Sequence, residues 1–312
     1  MSIKIGISSC LLGYAVRYDG GHKLDHYLRD TLGKYVTFVH VCPEVECGLP
    51  IPREAMRLVK EDEKIRLVTI KTKVDYTEKM VKWSEEKIKE LEKEELSGFI
   101  FKSKSPSSGL KSAKIYSKEG KLIGTGKGIF ARIFTEHFPH IPVEEDGRLY
   151  SPELRENFIE RVFIYNMWKE MEKTGKDYKK LIDFHTKIKL TLLSHSEKHH
   201  RALGKMVAEC SKDKDIFEKY FSTMMDALTL KATVKKHTNV LYHIMGYFKK
   251  ILTNDEKAEL KALIEHYHNG FIPLIVPVTL INHYVKKYGI EYLQKQYYLN
   301  PHPIELMLRN HV

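Results

Sequence analysis

The chain has 312 residues and a mass of 36.5 kDa, which is enough for two domains with sizeable buried cores. Apolar residues make up 42% and charged residues 30%, with only 11 Pro and 18 Gly, and this composition excludes a disordered or fibrous protein. The net charge of +11 and the pI near 9.2 favour polyanionic partners such as nucleic acid.

The N-terminal apolar run is too short for a secretory signal, and no cleavage site follows it. The longest apolar stretch, residues 271–281, is interrupted by Pro273 and Pro277 and falls short of the ~20 residues that span a bilayer. We therefore expect a cytoplasmic protein without a membrane partner. The four cysteines should then be reduced and available for metal ligation or chemistry.

The first half of the chain alternates short β-rich runs with helical ones. The patterns predict strands at residues 4–8, 35–41, 65–72 and 99–102. Between the last two, apolar residues recur at helical spacing among charges, which predicts an amphipathic helix over residues 75–95 capped by Asp75. The fold class predicted for this half is an α/β domain with a mainly parallel, Rossmann-like sheet.

A segment rich in Pro, Gly and acids, residues 139–153, predicts the domain boundary. The expected division is a first domain over residues 1–145 and a mainly α-helical second domain over residues 146–312. The helical periodicity of the second half predicts helices at residues 150–173, 178–193, 198–210, 213–228, 235–252, 255–269, 278–288 and a short one near 306.

Basic residues and aromatic residues are interleaved in the second half. Residues 151–312 contain 26 Lys and Arg against 19 Asp and Glu, a net charge of +7. Basic groups such as those of Lys235, Lys250 and Arg309 attract phosphates. Aromatic rings can stack on exposed bases, and the candidates are Tyr242, Tyr247, Phe248, Tyr284 and Tyr298. The alternative for each such residue is a solvated Lys or a core Tyr.

Three chemically rich loops follow the predicted strands. They contain Cys10, the segment 42–48 with Cys42 and Cys47, and the serine-rich run 103–109. In open parallel sheets ligands bind beyond the carboxyl ends of the strands, so these loops are expected to converge on one site. Three thiolates there suit zinc, which would need a fourth ligand, or a four-iron cluster that keeps one iron open for substrate.

Polar residues beside the cysteines supply further candidate groups. Glu44 is a candidate general acid or base, and Arg53 a candidate anion ligand. The run of residues 102–109 offers hydroxyls and cations that could hold an anion or the edge of a pyrimidine. It lacks the spacing of a P-loop, and residues 124–128 resemble a phosphate cradle only weakly.

At this point the chain resembles a known family. Residues 1 to about 145 resemble the thiouracil desulfidase family through the segments 8–13 (SSCLLG), 17–20 (RYDG), 42–44 (CPE), 48–53 (GLPIPR) and 102–109. The second half is similar to the helical domain fused to it in the tRNA 4-thiouridine desulfidases, through the segments 243–250 (HIMGYFKK), 272–277 (IPLIVP) and 305–310 (ELMLRN).

The resemblance implies a 4Fe-4S cluster held by three cysteines, whose open iron binds the sulfur of a thiocarbonyl. Carried over, it makes Cys10 and Cys42 ligands. Many small relatives have Cys where this chain has Ser108, and Cys47 is the thiolate expected to replace it. Glu44 would activate water or protonate the ring, and Ser105, with Ser103 as second candidate, would donate to the base. The residues expected to bind substrate are Lys102, Lys104, Ser107, Ser108 and Arg53.

The expected function is non-redox removal of sulfur from 4-thiouridine in tRNA, with tRNA as partner and sulfide as product. No protein partner is predicted. The alternatives are a desulfidase that acts on free thiopyrimidines such as 2-thiouracil, and a non-catalytic RNA-binding module that carries iron–sulfur or zinc.

Overall fold

The computed structural model describes residues 3–311, except for the side chain of Lys212, and divides into two compact units. The first unit ends at Ser151 and the second begins at Pro152. The sequence-based division between residues 145 and 146 lies six residues earlier. Among residues 3–311, no helix is both long enough and apolar enough to cross a membrane.

A four-stranded parallel sheet, sheet A, forms the centre of the first unit. Its strand order is β2-β1-β5-β8. The bounds are β1 Ile3–Ser8, β2 Val36–Val41, β5 Gly98–Phe101 and β8 Val143–Glu145. Ile5, Ile7, Phe99 and Phe101 are buried, as expected for parallel strands covered on both faces. The prediction of an α/β domain with a mainly parallel sheet is confirmed.

A second sheet, sheet B, was not predicted as a separate layer. It has the order β4-β3-β6-β7 and mixes parallel and antiparallel pairs. The bounds are β3 Met56–Glu61, β4 Lys64–Thr69, β6 Ala113–Tyr116 and β7 Leu122–Gly126. The run at residues 65–72, predicted as part of the parallel sheet, pairs antiparallel with β3 in sheet B instead, because a tight turn joins the two strands.

Helices of the first unit connect and cover these strands. They are α1 Pro43–Glu46, α2 Thr77–Glu94 and α3 Ile129–His137, with 3-10 turns at Ser9–Leu12 and Leu32–Lys34 and a π-helical turn at Tyr27–Thr31. The prediction that Asp75 caps α2 is wrong, because Tyr76 is the N-cap residue and no side chain caps the helix. The Asp75 carboxylate lies one residue earlier and accepts a hydrogen bond from the Thr77 amide at 2.8 Å.

The acidic segment that predicted a linker is part of the first unit's core. Residues 143–145 form β8, and Glu144, Glu145 and Asp146 are buried. The Glu145 carboxylate accepts hydrogen bonds from the amides of Leu110 and Lys111 at 2.6 and 2.9 Å. Pro, Gly and acids are typical of linkers, but here the acids satisfy buried amides of a neighbouring loop.

The second unit is helical, as predicted. Its helices are α4 Pro152–Lys173, α5 Tyr178–His195, α6 Glu197–Ala208, α7 Ile216–Thr229, α8 Val234–Tyr247, α9 Asn254–His268, α10 Ile275–Lys287 and α11 Glu291–Gln294. Short 3-10 turns follow at Tyr297–Leu299 and Ile304–Leu306. One apolar cluster surrounds Trp168 and Tyr220 and includes Cys210, and another surrounds Leu241 and Ile281.

A buried ionic network ties the end of the chain to α4. Arg309 is 3% exposed, and its Nε donates to Glu156 Oε1 at 3.0 Å. Its Nη2 lies 3.6 Å from Glu160 Oε1, and Glu160 Oε2 is 2.8 Å from His195 Nε2. Arg309 was predicted as a surface cation of an RNA platform, but burial and two carboxylate partners give it a structural role.

Candidate active site

The three predicted loops converge at one edge of sheet A. They follow β1, β2 and β5, which are adjacent and parallel, so their carboxyl ends meet at this edge. Together they line a cavity of about 420 Å³. Of the predicted site residues, Cys10, Cys42, Glu44, Arg53, Lys102, Ser103, Lys104, Ser105 and Ser108 line this cavity.

Two buried thiols belong to the cavity wall. Cys10 lies in the 3-10 turn after β1, and Cys42 precedes α1 at the end of β2. Burial raises the pKa of Cys10 to about 11, with the negative charge of Glu44 adding to this shift. Burial and the Glu44 charge raise the pKa of Cys42 to about 12. Both thiols are therefore neutral at pH 7 unless a cation binds them and displaces the proton.

Glu44 extends from α1 into the cavity and is held by the serine-rich loop. Ser107 Oγ donates a hydrogen bond to Glu44 Oε1 at 2.6 Å, and Ser105 Oγ donates to the same oxygen at 3.4 Å. Glu44 Oε2 lies 3.7 Å from Cys42 Sγ and 3.9 Å from Arg53 Nη2. The carboxylate is thus fixed between a thiol, a cation and two hydroxyls, with little exposure to solvent.

Lys102 and Ser103, at the end of β5, are positioned by Asp146. Asp146 Oδ2 lies 2.7 Å from Lys102 Nζ, and its Oδ1 accepts from the Ser103 amide at 2.6 Å. Lys102 Nζ also donates to Ser103 Oγ at 3.0 Å. Asp146 was missed in the sequence because it lay in the supposed linker; the signal was its place shortly after the β-branched Ile141 and Val143, which alternate as in a short strand.

The remaining residues predicted to bind substrate differ in the contacts that they already make within the protein. Arg53 donates to the carbonyls of Val16 at 3.1 Å and Pro50 at 3.4 Å, so it shapes the cavity wall as well as lining it. Lys104 has a left-handed backbone with φ of 62°, which turns the loop at this point. Ser107 does not line the cavity and acts on it through Glu44.

The serine-rich loop is fixed by the start of α3. The amides of Ile129 and Ala131 donate to the carbonyls of Pro106 and Ser107, both at 3.2 Å. Gly128 allows this approach, because a Cβ there would lie 2.4 Å from the Ser107 carbonyl group. The glycine-rich segment 124–128 weakly resembles a phosphate cradle. In the structure it instead leads into the first amides of α3, which hold the serine-rich loop in place.

The structure does not bring Cys47 to this cavity. Cys47 follows α1 five residues after Cys42, which at 3.6 residues per turn places it about 140° around the helix axis. Its side chain packs in an apolar cluster with Leu58, Leu67 and Met80, and its Sγ lies 3.3 Å from the Glu44 carbonyl oxygen. The assignment of Cys47 as third thiolate thus disagrees with its position.

The side chains that line the cavity supply enough ligands for a metal cluster only when oxygen atoms are counted beside the two thiols. In the described part of the chain, no group of three or more His, Cys, Asp or Glu side chains could hold a metal ion. Cys10 and Cys42 offer two buried thiols on one cavity, and Ser108 adds a buried hydroxyl to the same wall. Soft thiolates select iron–sulfur clusters or zinc.

In the second unit, the predicted RNA platform is partly buried. Phe248, Tyr284 and Tyr298 belong to the core and cannot stack on bases. One face of α8 remains exposed, with Lys235, Tyr242, His243 and Tyr247 at helical spacing, followed by exposed Lys249 and Lys250. The Tyr247 ring stacks on Tyr292 at 5.0 Å.

Comparison with known proteins matches the two units of the chain to two different families. Residues 5–146 match the family model described as 2-thiouracil desulfurase, and residues 189–303 match a family described as a protein of unknown function, DUF1722. An uncharacterised protein of Escherichia coli K12, YbgA, is 32% identical over 153 residues, covering 48% of this chain and 90% of YbgA.

A solved structure of TudS, named as a 4Fe-4S-dependent thiouracil desulfidase, is 32% identical to this chain. The match covers 47% of this chain and 93% of TudS, with a TM-score of 0.39. The chain therefore carries a region of the 2-thiouracil desulfurase family in its first unit and a DUF1722 region in its second.

Proposed function

We propose that the chain is a desulfidase that hydrolyses the thiocarbonyl of a free thiopyrimidine such as 2-thiouracil. The observation that carries the proposal is the convergence of Cys10, Cys42 and Glu44 on one cavity at the edge of sheet A. In the reaction, water adds its oxygen to the thiocarbonyl carbon, the C–S bond breaks, and both protons of the water leave with the sulfur as hydrogen sulfide. No electrons are gained or lost.

The cofactor we propose is a 4Fe-4S cluster held by Cys10 and Cys42. The named cluster dependence of TudS supports it, as does the pair of buried thiols. When bound, such a cluster supplies a Lewis-acidic iron that draws electron density from the thiocarbonyl through its sulfur. Burial raises the pKa of both thiols, so their ionisation costs free energy in the free protein. A cation at this site would offset that cost by stabilising the thiolates.

Glu44 is the proposed general base. Its carboxylate faces the cavity, and the hydroxyls of Ser107 and Ser105 fix its Oε1. Water placed against Glu44 would lose a proton to the carboxylate as its oxygen attacks carbon, and the carboxylate would return that proton to the departing sulfide. A positioned base of this kind is worth about 10²–10⁴ in rate.

Lys102 and Ser103 are the proposed donors to the pyrimidine. Asp146 holds both at the end of β5, so the ammonium and hydroxyl are placed before substrate binds. Ser105 and Lys104 line the same side of the cavity and offer further hydrogen-bond donors. The volume of about 420 Å³ suits a single nucleobase.

A second candidate substrate is 4-thiouridine in tRNA. The exposed face of α8 with Lys235 and Tyr242, together with Lys250 just after the helix, favours it, because cations and aromatic rings close together suit a folded polyanion with exposed bases. The free base remains the first candidate, because the likeness to the named thiouracil desulfidase covers 93% of that protein and only the first unit here.

The test is anaerobic turnover of 2-thiouracil, 4-thiouracil and 4-thiouridine-containing tRNA by the cluster-reconstituted full chain, followed by loss of thiocarbonyl absorbance and release of sulfide. We expect turnover of the free bases and a loss of at least 100-fold in Glu44→Gln. Glu46→Gln is the matched control, because Glu46 lies two residues away with its carboxylate bound to the Cys42 amide and Lys87. Zinc without iron and sulfide in the purified protein, and no turnover, would contradict the proposal.

The tRNA candidate is tested by reversing one charge on α8 and one just after it. We expect Lys235→Glu with Lys250→Glu to weaken tRNA binding and flatten its salt dependence, with turnover of the free base unchanged. Lys205→Glu with Lys261→Glu is the charge-matched control on α6 and α9. Equal binding by both double variants, or no thiolated-tRNA turnover, would remove tRNA as a substrate.

A further inference from the structure

The wall of the cavity contains an aromatic residue, Tyr18. Most of the described residues that line the cavity are polar or charged, and none besides Tyr18 carries an aromatic ring. Polar groups such as those of Lys102 and Ser103 can recognise the edge of a pyrimidine, but they do not cover the flat faces of its ring. A binding pocket covers most of the surface of its ligand, so a face of the pyrimidine needs a partner of its own. Tyr18 can supply that partner, because aromatic side chains stack on nucleobases.

A tight turn fixes the backbone of Tyr18. The Arg17 amide donates to the Gly21 carbonyl at 3.2 Å, and the Gly20 amide donates to the Arg17 carbonyl at 3.0 Å. Gly20 has a φ of 73°, a left-handed conformation that glycine adopts without strain. The Tyr18 carbonyl accepts from the Arg53 amide at 2.8 Å, and Arg53 also lines the cavity. The backbone of Tyr18 is therefore held to the cavity wall before a substrate binds.

A neighbouring cation restrains the Tyr18 ring. The guanidinium carbon of Arg17 lies 5.5 Å from the centre of the ring, which is within the range of a cation–π contact. Arg17 is in turn held by Asp19, whose Oδ1 lies 3.3 Å from Arg17 Nε and whose Oδ2 lies 3.4 Å from Arg17 Nη2. Asp19 Oδ1 also accepts from the Gly21 amide at 3.0 Å. A ring that is oriented in the free protein loses little conformational entropy when it stacks on a ligand.

The Tyr18 side chain has surface left for a partner. Tyr18 is 45% exposed although it lines the cavity. Tyr14 is nearly as exposed, at 47%, but it does not line the cavity, and its ring packs against His40 with the ring centres 4.8 Å apart. What distinguishes Tyr18 is therefore exposure beside the proposed substrate. A flat ligand that covers its ring removes apolar surface from water and stabilises the complex.

We propose that Tyr18 stacks on the pyrimidine ring and makes the cavity selective for flat, aromatic thiocarbonyl compounds over saturated ones. This inference rests on the proposed function, because it takes a thiopyrimidine as the substrate. Most of the ring stays planar while water attacks the thiocarbonyl carbon, so the stack binds the substrate and the transition state about equally. Tyr18 therefore contributes to KM and not to kcat.

The experiment uses the full chain, reconstituted with its cluster under anaerobic conditions, and two ligands that contain no sulfur and are not turned over. Uracil is flat and aromatic, whereas 5,6-dihydrouracil offers the same carbonyl and N–H groups on a puckered ring. Equilibrium dialysis gives the Kd of each ligand for wild type, Tyr18→Phe, Tyr18→Leu and the matched control Tyr14→Leu. Steady-state turnover of 2-thiouracil gives kcat and KM for the same four proteins.

Wild type should bind uracil about tenfold more tightly than 5,6-dihydrouracil, because stacking on an aromatic side chain contributes on the order of a factor of ten in affinity per base. Tyr18→Phe and Tyr14→Leu should keep this preference. Tyr18→Leu should bind the two ligands within about twofold of each other. Its KM for 2-thiouracil should rise about tenfold, with kcat within about threefold of wild type.

A preference for uracil that survives in Tyr18→Leu, is lost in Tyr18→Phe or is absent from wild type would overturn the stacking role. A fall in kcat at unchanged KM in Tyr18→Leu would do the same. Each protein is its own reference for the two ligands, so a partly folded variant cannot imitate the expected result. A preference that depends on Tyr18 in a protein without thiopyrimidine turnover would uphold the stacking residue and contradict the proposed activity. Turnover with an unchanged KM in Tyr18→Leu would do the reverse.

Discussion

Ser107 Oγ donates a 2.6 Å hydrogen bond to Glu44 Oε1 and so joins the loop after β5 to the loop after β2. The two residues are 63 positions apart in the sequence, and Ser107 is fully buried. The backbone of Ser107 is held by α3, so its hydroxyl fixes the Glu44 carboxylate from a rigid position. The base proposed for water attack is thus positioned by a residue that does not itself line the cavity.

Replacing Ser107 with Ala should lower kcat about tenfold and leave KM within about twofold, because a hydrogen bond to a charged group contributes about 1.5–3 kcal/mol and here orients Glu44. Steady-state turnover of 2-thiouracil measures this, with Ser117→Ala as a control outside the cavity. The double variant with Glu44→Gln should lose no more than Glu44→Gln alone. A further tenfold loss there would mean that Ser107 does not act through Glu44.

Replacing Asp146 with Ala should loosen the end of β5, because it leaves the Ser103 amide and the Lys102 ammonium without their carboxylate. We expect the Ser103 amide to exchange its hydrogen at least about tenfold faster, and the KM for thiopyrimidine to rise. Glu136→Ala, which breaks the exposed pair with Arg132, should change neither. Unchanged exchange at Ser103 in Asp146→Ala would refute the positioning role.

Replacing Arg309 with Met should destabilise the second unit by about 3–5 kcal/mol, because it leaves Glu156 and Glu160 buried without their shared cation. Urea titration of a Trp83→Phe background isolates the fluorescence of Trp168, the other of the two tryptophans, which lies in the second unit's core. Arg201→Met, from an exposed pair with Glu197, should cost less than about 1 kcal/mol. Equal costs for the two variants would argue against a structural role for Arg309.

The second unit should lose stability as the pH falls from 6.5 to 4.5. Burial lowers the pKa of His237 to about 3 and those of His185 and His302 to about 4. In this pH range these three histidines therefore bind a proton in the unfolded chain and stay neutral in the folded unit. Burial raises the pKa of Glu156 to about 7, so the folded unit takes up one proton that the unfolded chain refuses. Burial also lowers the pKa of His200 and His311, so the unfolded chain binds more protons than the folded unit in this range, and the free energy of unfolding falls with pH by roughly a few kcal/mol per pH unit.

Urea titrations at several pH values, read through Trp168, measure this slope. In His237→Gln the slope should fall by roughly 1 kcal/mol per pH unit, while the exposed His283→Gln should leave it unchanged. Identical slopes in wild type and His237→Gln would contradict a neutral, buried His237. Below pH 4.5 the loss should continue, because His195 and the other cations keep the pKa of Glu160 near 2.

The sequence pattern was sufficient where the interactions are local. Strands β1, β2 and β5 and helix α2 lie within a few residues of their predicted bounds, since hydrophobic period is a property of neighbouring residues. The convergence of the three loops followed from adjacent parallel strands alone. On that ground the sequence predicts Cys10, Cys42, Cys47 and Glu44 together, and all of these except Cys47 line the cavity.

What the tertiary structure decided is which side chains face the cavity and which acids are buried. Cys47 and Ser108 both flank the site in sequence, but the short turn of α1 directs Cys47 into an apolar cluster, while α3 fixes Ser108 at the cavity wall. In the sequence, Asp146 resembles an acid of a linker and Arg309 resembles a surface cation. Their roles depend on partners that lie 44 residues from Asp146 and 153 residues from Arg309 in the chain. A sequence pattern carries period and composition, whereas the direction of a loop side chain depends on contacts distant in the chain.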